Sequence, residues 1–144
     1  MSASSRESRV RPESTPSAAP ISHEVAAIGV GGALGASLRH ALALAAGALG
    51  LHSAAGTLAA NLAGAFLLGV LLTRFESPSA HPLLRPFWVI GVFGSFTTFS
   101  TLILEGHDVA AASHPDLALL HFGTSIALGL AAFALGHRLW RPGA

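Results

Sequence analysis

Residues 86–104 read PFWVIGVFGSFTTFSTLIL, nineteen positions without one Asp, Glu, Lys or Arg. A helix that crosses a bilayer needs roughly 20 mainly apolar residues, so this stretch has the length and the solvent preference of a membrane span. Its centre does not have the usual composition. Gly91, Gly94, Ser95, Thr97, Thr98, Ser100 and Thr101 stand where leucines would ordinarily stand, and Phe93, Phe96 and Phe99 recur every third residue. Glycine and hydroxyl residues weaken a helix. Non-helical backbone at membrane depth is tolerated only where it lines a cavity or is buried in protein, and its released carbonyls can hold a cation.

Three further charge-free stretches flank this one, at 25–38, 40–73 and 117–137. Together the four hold 88 of the 144 residues and leave fifteen charged side chains, eight arginines and seven acids, in clusters between them. Soluble domains are about a quarter charged, whereas this chain is 10% charged and 51% hydrophobic. An ordinary water-soluble enzyme is excluded on that ground. The pattern predicts an all-α membrane protein with four transmembrane helices, at about 25–46, 56–73, 86–105 and 117–137. The arginines lie at segment ends rather than in a patch, so no nucleic-acid surface is expected. Cysteine is absent, which removes disulfides, thiolate metal sites and a thiol nucleophile.

Residues 1–22, rich in Ser, Pro and Arg, have too little to bury and are expected to form a disordered tail ahead of a four-helix domain at 23–144. A signal peptide with 25–38 as its core fits less well, because three acids interrupt the basic region. Small residues four apart, Gly31 and Gly35, Gly32 and Ala36, Ala60 and Gly64, are the spacing that lets helix backbones approach closely in lipid. Gly29, Gly31 and Gly35 loosely imitate a dinucleotide fingerprint, but no strand precedes them and no acid follows at the required distance. The eight histidines show no zinc-ligand spacing. Glu105 reads either as a helix-end charge or as a pore-mouth group.

A polar residue within a span is a functional candidate by default. Arg39 either snorkels to the headgroups or is a fixed cation that draws anions into a vestibule. Asn61, with Thr57 one turn earlier, is either interhelical glue or an amide that donates to a small anion. Phenylalanine ring edges are electropositive and could flank an anion that carries no water. His121, Ser125 and Gly129 share one face of the last span with Thr124 beside it, and form either a polar track or hydroxyls bonded back to their own helix.

The blocks GGALGASLRH (31–40), GTLAANLAGAFLLG (56–69) and GSFTTFSTLILE (94–105) in this order closely resemble the fluoride-specific ion channel family, known as Fluc or CrcB, over about residues 24–140. The resemblance implies four-helix subunits in antiparallel dimers, two fluoride pathways along the interface and a structural sodium ion at its centre. By position, Asn61 matches the pore asparagine and Arg39 the vestibule arginine. Gly94 and Thr97 match the residues whose backbone carbonyls hold sodium at a break in the third helix. Phe99 matches the first phenylalanine of the ring cluster, Ser100 and Thr101 the adjoining hydroxyls, and Ser125 the polar track. Two departures are Leu102, where the family usually has a second phenylalanine, and His121, where a tyrosine-like aromatic is expected.

If the four spans alternate, arginines 6, 9, 11, 74, 85, 138 and 141 share one side, and the opposite loops carry Glu105, Asp108 and Asp116. The positive-inside rule places both termini in the cytoplasm of a cell-membrane protein. Such a bias does not suit a homodimer whose copies insert both ways, and it points to a heterodimer with an oppositely oriented homologue. The expected activity is passive fluoride export. A proton-coupled exporter would need a carboxylate deep in a span, and Glu24 and Glu105 read as span ends. An inert subunit that completes a partner's dimer is the third reading, encouraged by Leu102.

Overall fold

The computed structural model describes residues 19–75, 80–112 and 114–140. Most of the expected tail, with Arg6, Arg9 and Arg11, lies outside the described residues, as do Glu76, Pro78 and Arg141. All regular structure among the described residues is helical: α1 (Ile21–Ala48), α2 (Ser53–Phe75), a π-helical segment (Pro86–Phe93), α3 (Gly94–Phe96), α4 (Phe99–Ala111) and α5 (Pro115–Leu139). Helix α1 begins at Ile21, so two residues assigned to the tail belong to the first span. The third and fourth spans are also longer than expected. Helix α4 runs six residues past Glu105, and 107–111, read as loop, are helical.

Local chemistry explains the ends. At the close of α1 the Leu51 amide donates to Ala46 and the Gly50 amide to Gly47, and Gly50 takes φ +70°. This is a Schellman turn, which needs a residue at ease in the left-handed region. Proline opens both the π-helical segment and α5, at positions where no backbone donor is lost. Asp116 in the first turn of α5 and Arg138 in its last complement the helix dipole. Arg74 sits 5.0 Å over the Trp140 ring and ties the last turn of α2 to the end of α5.

Four helical spans, Ile21–Ala48, Ala54–Leu72, Pro86–Ala111 and Pro115–Leu139, are long and apolar enough to cross a membrane. The packing suits that solvent. Leu119, Ile21, Leu130 and Val25 are among many large apolar side chains left exposed, while the buried set includes Ala46, Ala60 and Ala118. Contacts concentrate in two pairs, α2 with α5 and α1 with the π-helical segment. Glycine makes both pairs possible. A Cβ at Gly31 would overlap the Phe87 carbonyl oxygen, and one at Gly35 the Val92 carbonyl oxygen. In the other pair a Cβ at Gly69 would strike the Phe133 carbonyl and one at Gly136 the Phe66 carbonyl. The predicted role of Gly31 and Gly35 holds; Gly69 and Gly136 carry the same task, each four residues after an alanine, Ala65 and Ala132.

Candidate functional site

Helical backbone stops at Phe96. Thr97 (φ −79°, ψ 151°) and Thr98 (φ −145°, ψ 123°) are extended, and helix resumes at Phe99. Two extended residues in an apolar span strand several backbone groups, and each stranded group costs several kcal/mol unless partnered. Partners come from two other helices. The Asn61 side chain on α2 pairs with Thr98 in both directions: its Nδ2 donates to the Thr98 carbonyl at 3.2 Å and its Oδ1 accepts from the Thr98 amide at 2.8 Å. Arg39 on α1 donates from Nε to the Ser95 carbonyl at 3.1 Å. Its place in the row Gly31, Gly35, Arg39, at i, i+4 and i+8, carries it along the face of α1 that packs on the third span. Among the described residues no carboxylate lies within ion-pair distance of Arg39.

The hydroxyls finish the joint. Thr97 Oγ1 donates to the Phe93 carbonyl at 2.8 Å, four residues back. Thr98 Oγ1 accepts from the Thr101 amide at 3.2 Å as the cap of α4, and lies 3.1 Å from both the Ser100 and Thr101 hydroxyls. Two helical donors are diverted by these bonds. The Thr98 amide, which would serve the Gly94 carbonyl in a continuous helix, goes to Asn61, and the Thr101 amide, which would serve Thr97, goes to Thr98 Oγ1. The Gly94 and Thr97 carbonyls thereby lose their helical donors, and carbonyl oxygens freed in this way are ligands of the kind a hard cation takes.

Two recesses meet at Thr98. A cavity of about 160 Å³ is lined by Arg39, Thr57, Thr98, Thr101 and Glu105 among others. A second recess, of about 260 Å³, is lined by Asn61, Ala65, Thr97, Thr98, Phe99 and Leu102. Phe99 is 68% exposed there, so this recess lies on the outer surface of the bundle, and Leu102, 4% exposed, forms its floor. The sequence-derived residues are thus divided: Arg39 and Thr101 on one side of Thr98, Asn61 and Phe99 on the other. Ser100 is exposed beside them. Ser125 on α5 lines neither recess; its buried hydroxyl has no hydrogen-bond partner among the described residues.

Three members of this region were named in the sequence without the partners they have in the fold. Thr98 organises the joint, and the signal for it was a threonine three residues ahead of Thr101, the spacing of a helix cap. Thr57 donates from Oγ1 to Glu105 Oε1 at 2.7 Å. Glu105 itself is a correction: its side chain is only 10% exposed, inside α4 rather than at a span end, with Oε2 3.6 Å from His121 Nε2. No clusters of three or more metal-ligating side chains occur among the described residues.

Comparison with known proteins shows the family. Residues 26–137 match the family model described as CrcB-like protein, Camphor Resistance (CrcB). Among curated relatives, a protein named fluoride-specific ion channel FluC 2 from Thermobifida fusca is 43% identical over 71% of this chain and 76% of its own length. The fluoride-specific ion channel FluC of Acidobacterium capsulatum is 40% identical over 76% of this chain and 89% of its own. A FluC 2 from Rubrobacter xylanophilus is 44% identical over 77% of each. With its four membrane-capable helices and a polar joint in the third span, the chain belongs to the CrcB-like family, whose curated members here are fluoride-specific ion channels.

Proposed function

We propose that this multi-pass membrane protein is a fluoride channel subunit that conducts the ion passively out of the cytoplasm and so lowers its toxicity. The observation that carries the reading is the recess lined by Asn61, Thr98 and Phe99 at the break in the third span, with the Ser100 and Thr101 hydroxyls each 3.1 Å from Thr98 Oγ1. Fluoride is small and strongly hydrated, so it leaves water only if donors replace its shell. Asn61 Nδ2 spends one hydrogen on Thr98 and keeps a second to donate, and a ring edge adds electropositive character without a trapping charge. Arg39, which makes no ion pair among the described residues, concentrates anions at the mouth, and Ser125 offers a buried hydroxyl farther along α5. No group here is arranged for covalent or acid-base chemistry on a substrate, in keeping with relatives that are channels and not enzymes.

The pathway is completed by a second, antiparallel subunit. The exposure of Phe99 supports this, because a pore wall must face something other than lipid tails. Leu102 fills the floor of the recess where a second ring would stand, so the missing ring is either dispensable or supplied by the partner. With seven arginines on one side of the membrane, that partner is an oppositely oriented homologue, and both termini are cytoplasmic. Liposomes loaded with fluoride and clamped at a membrane potential, with no proton gradient, are expected to release it when this chain is reconstituted with such a homologue. Flux that requires a proton gradient would replace the channel with an exporter, and full flux from this chain alone would remove the heterodimer.

A sodium ion held by the Gly94 and Thr97 carbonyls of both subunits would brace the interface and offset charge repulsion between anions. The diverted donors at these two positions support that assignment. Purification and assay with N-methylglucamine in place of sodium are expected to lower flux about ten-fold and to shift the protein from dimer toward monomer. Unchanged flux and unchanged dimer in sodium-free buffer would exclude the ion.

A further inference from the structure

Glu105 stands in the wall between two spaces. On one side is the cavity with Arg39, Thr57 and Thr101. On the other is a larger one of about 410 Å³, lined by His52, Glu105, Asp108, Leu117 and His121 and placed where the loops after α1 and α4 meet. The carboxylate is held asymmetrically. Oε1 takes the Thr57 hydroxyl hydrogen at 2.7 Å, while Oε2 and His121 Nε2 face each other at 3.6 Å. Both of these atoms are buried without a hydrogen-bond partner. At 3.6 Å the two are too far apart for a hydrogen bond, and among the described residues neither has an alternative partner.

We propose that Glu105 and His121 form a proton-operated gate between these two cavities. The inference rests on the channel reading and adds to it a control by pH. With His121 neutral, the pair carries the full negative charge of Glu105 in a wall that fluoride must pass. Like charge in a poorly solvated site raises the barrier to an anion. A proton taken up by His121 makes the pair neutral and draws Nε2–H onto Oε2, and fluoride then passes a closed ion pair in place of an open carboxylate. Histidine is the side chain whose charge changes between about pH 5 and 8, so the gate opens as the medium acidifies.

Other groups bear on the pair. From α1, Arg39 and His40 line the cavity on the inner side of Glu105; Arg39 keeps its charge throughout and sets a constant attraction. From the loop before α2, His52 lines the outer cavity, and from α4 itself so does Asp108, whose carboxylate lies 3.3 Å from His107 Nδ1 at the exposed end of the helix. From α2 the neutral Thr57 donates to Glu105. His107 and Asp108 are exposed, at 73% and 69%, and are screened by solvent; Glu105 and His121, at 10% and 20% exposure, are far less so.

The test reads valinomycin-driven fluoride efflux between about pH 8 and pH 5.5 from liposomes in which this chain is reconstituted with its oppositely oriented homologue, with the leak of protein-free liposomes at each pH subtracted. Efflux is expected to rise about ten-fold toward acid. Glu105→Gln, which keeps an acceptor for Thr57, is expected to abolish the pH dependence, and His121→Gln to abolish it as well, while His52→Gln retains it. Flux in the unaltered protein that does not change with pH, or a His121→Gln variant as pH-dependent as the parent, would overturn the gate while leaving the channel assignment standing. Absence of flux at every pH would count against the channel itself. In that case histidine-selective NMR of the solubilised chain still decides the pairing: the His121 titration midpoint moves in Glu105→Gln if the two are coupled, and stays where it was if they are not.

Discussion

Asn61→Asp is expected to cut fluoride efflux by about 100-fold, with the dimer intact by size-exclusion chromatography. The aspartate can still accept from the Thr98 amide, which approaches Oδ1 at 2.8 Å. Its second oxygen, however, replaces a donor that meets the Thr98 carbonyl at 3.2 Å. Two acceptors then oppose each other beside the pathway, and an anionic group stands where fluoride must be met by a hydrogen. Losing a hydrogen bond and leaving its partner buried costs about 1–3 kcal/mol, and ten-fold in rate corresponds to about 1.4 kcal/mol. The bundle contacts of α2 run through Ala60, Gly64 and Gly69 and are not touched, so assembly should persist. Efflux within a few-fold of the parent would remove Asn61 from the pathway.

Gly35→Val is expected to have the largest effect on stability, at least about 3 kcal/mol, because its first added carbon already collides with backbone. A Cβ there would overlap the Val92 carbonyl oxygen and lie 3.1 Å from the Phe96 nitrogen. Backbone cannot step aside as a flexible side chain can, so α1 must move away from the third span. The same movement draws Arg39 away from Ser95 and reopens the joint. Fluorescence-detected chromatography after heating should show most of the protein aggregated at temperatures the parent survives. Gly29→Val, one turn and a half earlier on α1, is the control, since a Cβ there has nothing within 4 Å. Equal tolerance of both substitutions would mean that α1 does not pack as described.

Span number, the polar centre of the third span, and Arg39 and Asn61 as exceptional residues were all legible in the chain, because each rests on local composition: a charged or amide side chain among apolar neighbours is visible without coordinates. The partners were not. That Asn61 pairs with Thr98, 37 residues away, and Arg39 with Ser95, 56 residues away, depends on how three helices are set against one another. Glu105 was misplaced for a related reason. Its charge made it look like the end of a span, whereas α4 continues through His107 and Asp108 to Ala111 and leaves Glu105 facing α2 and α5. Charge marks a span end only when the side chain meets water, and burial of a single carboxylate between helices leaves no trace in hydropathy.

The two side chains that satisfy backbone at the break in the third span also impose an order on biosynthesis. Arg39 and Asn61 are synthesised 56 and 37 residues ahead of Ser95 and Thr98, so each is made before the acceptor it pairs with in the folded chain. Until the third span arrives, those groups depend on water, headgroups or the insertion machinery. The third span in turn has little reason to hold Thr97 and Thr98 extended until both earlier helices are waiting. The joint is therefore a late event, a latch that closes only on a correctly inserted pair of helices, and a chain whose first spans inserted the wrong way round would be left with unlatched polar groups that quality control can read.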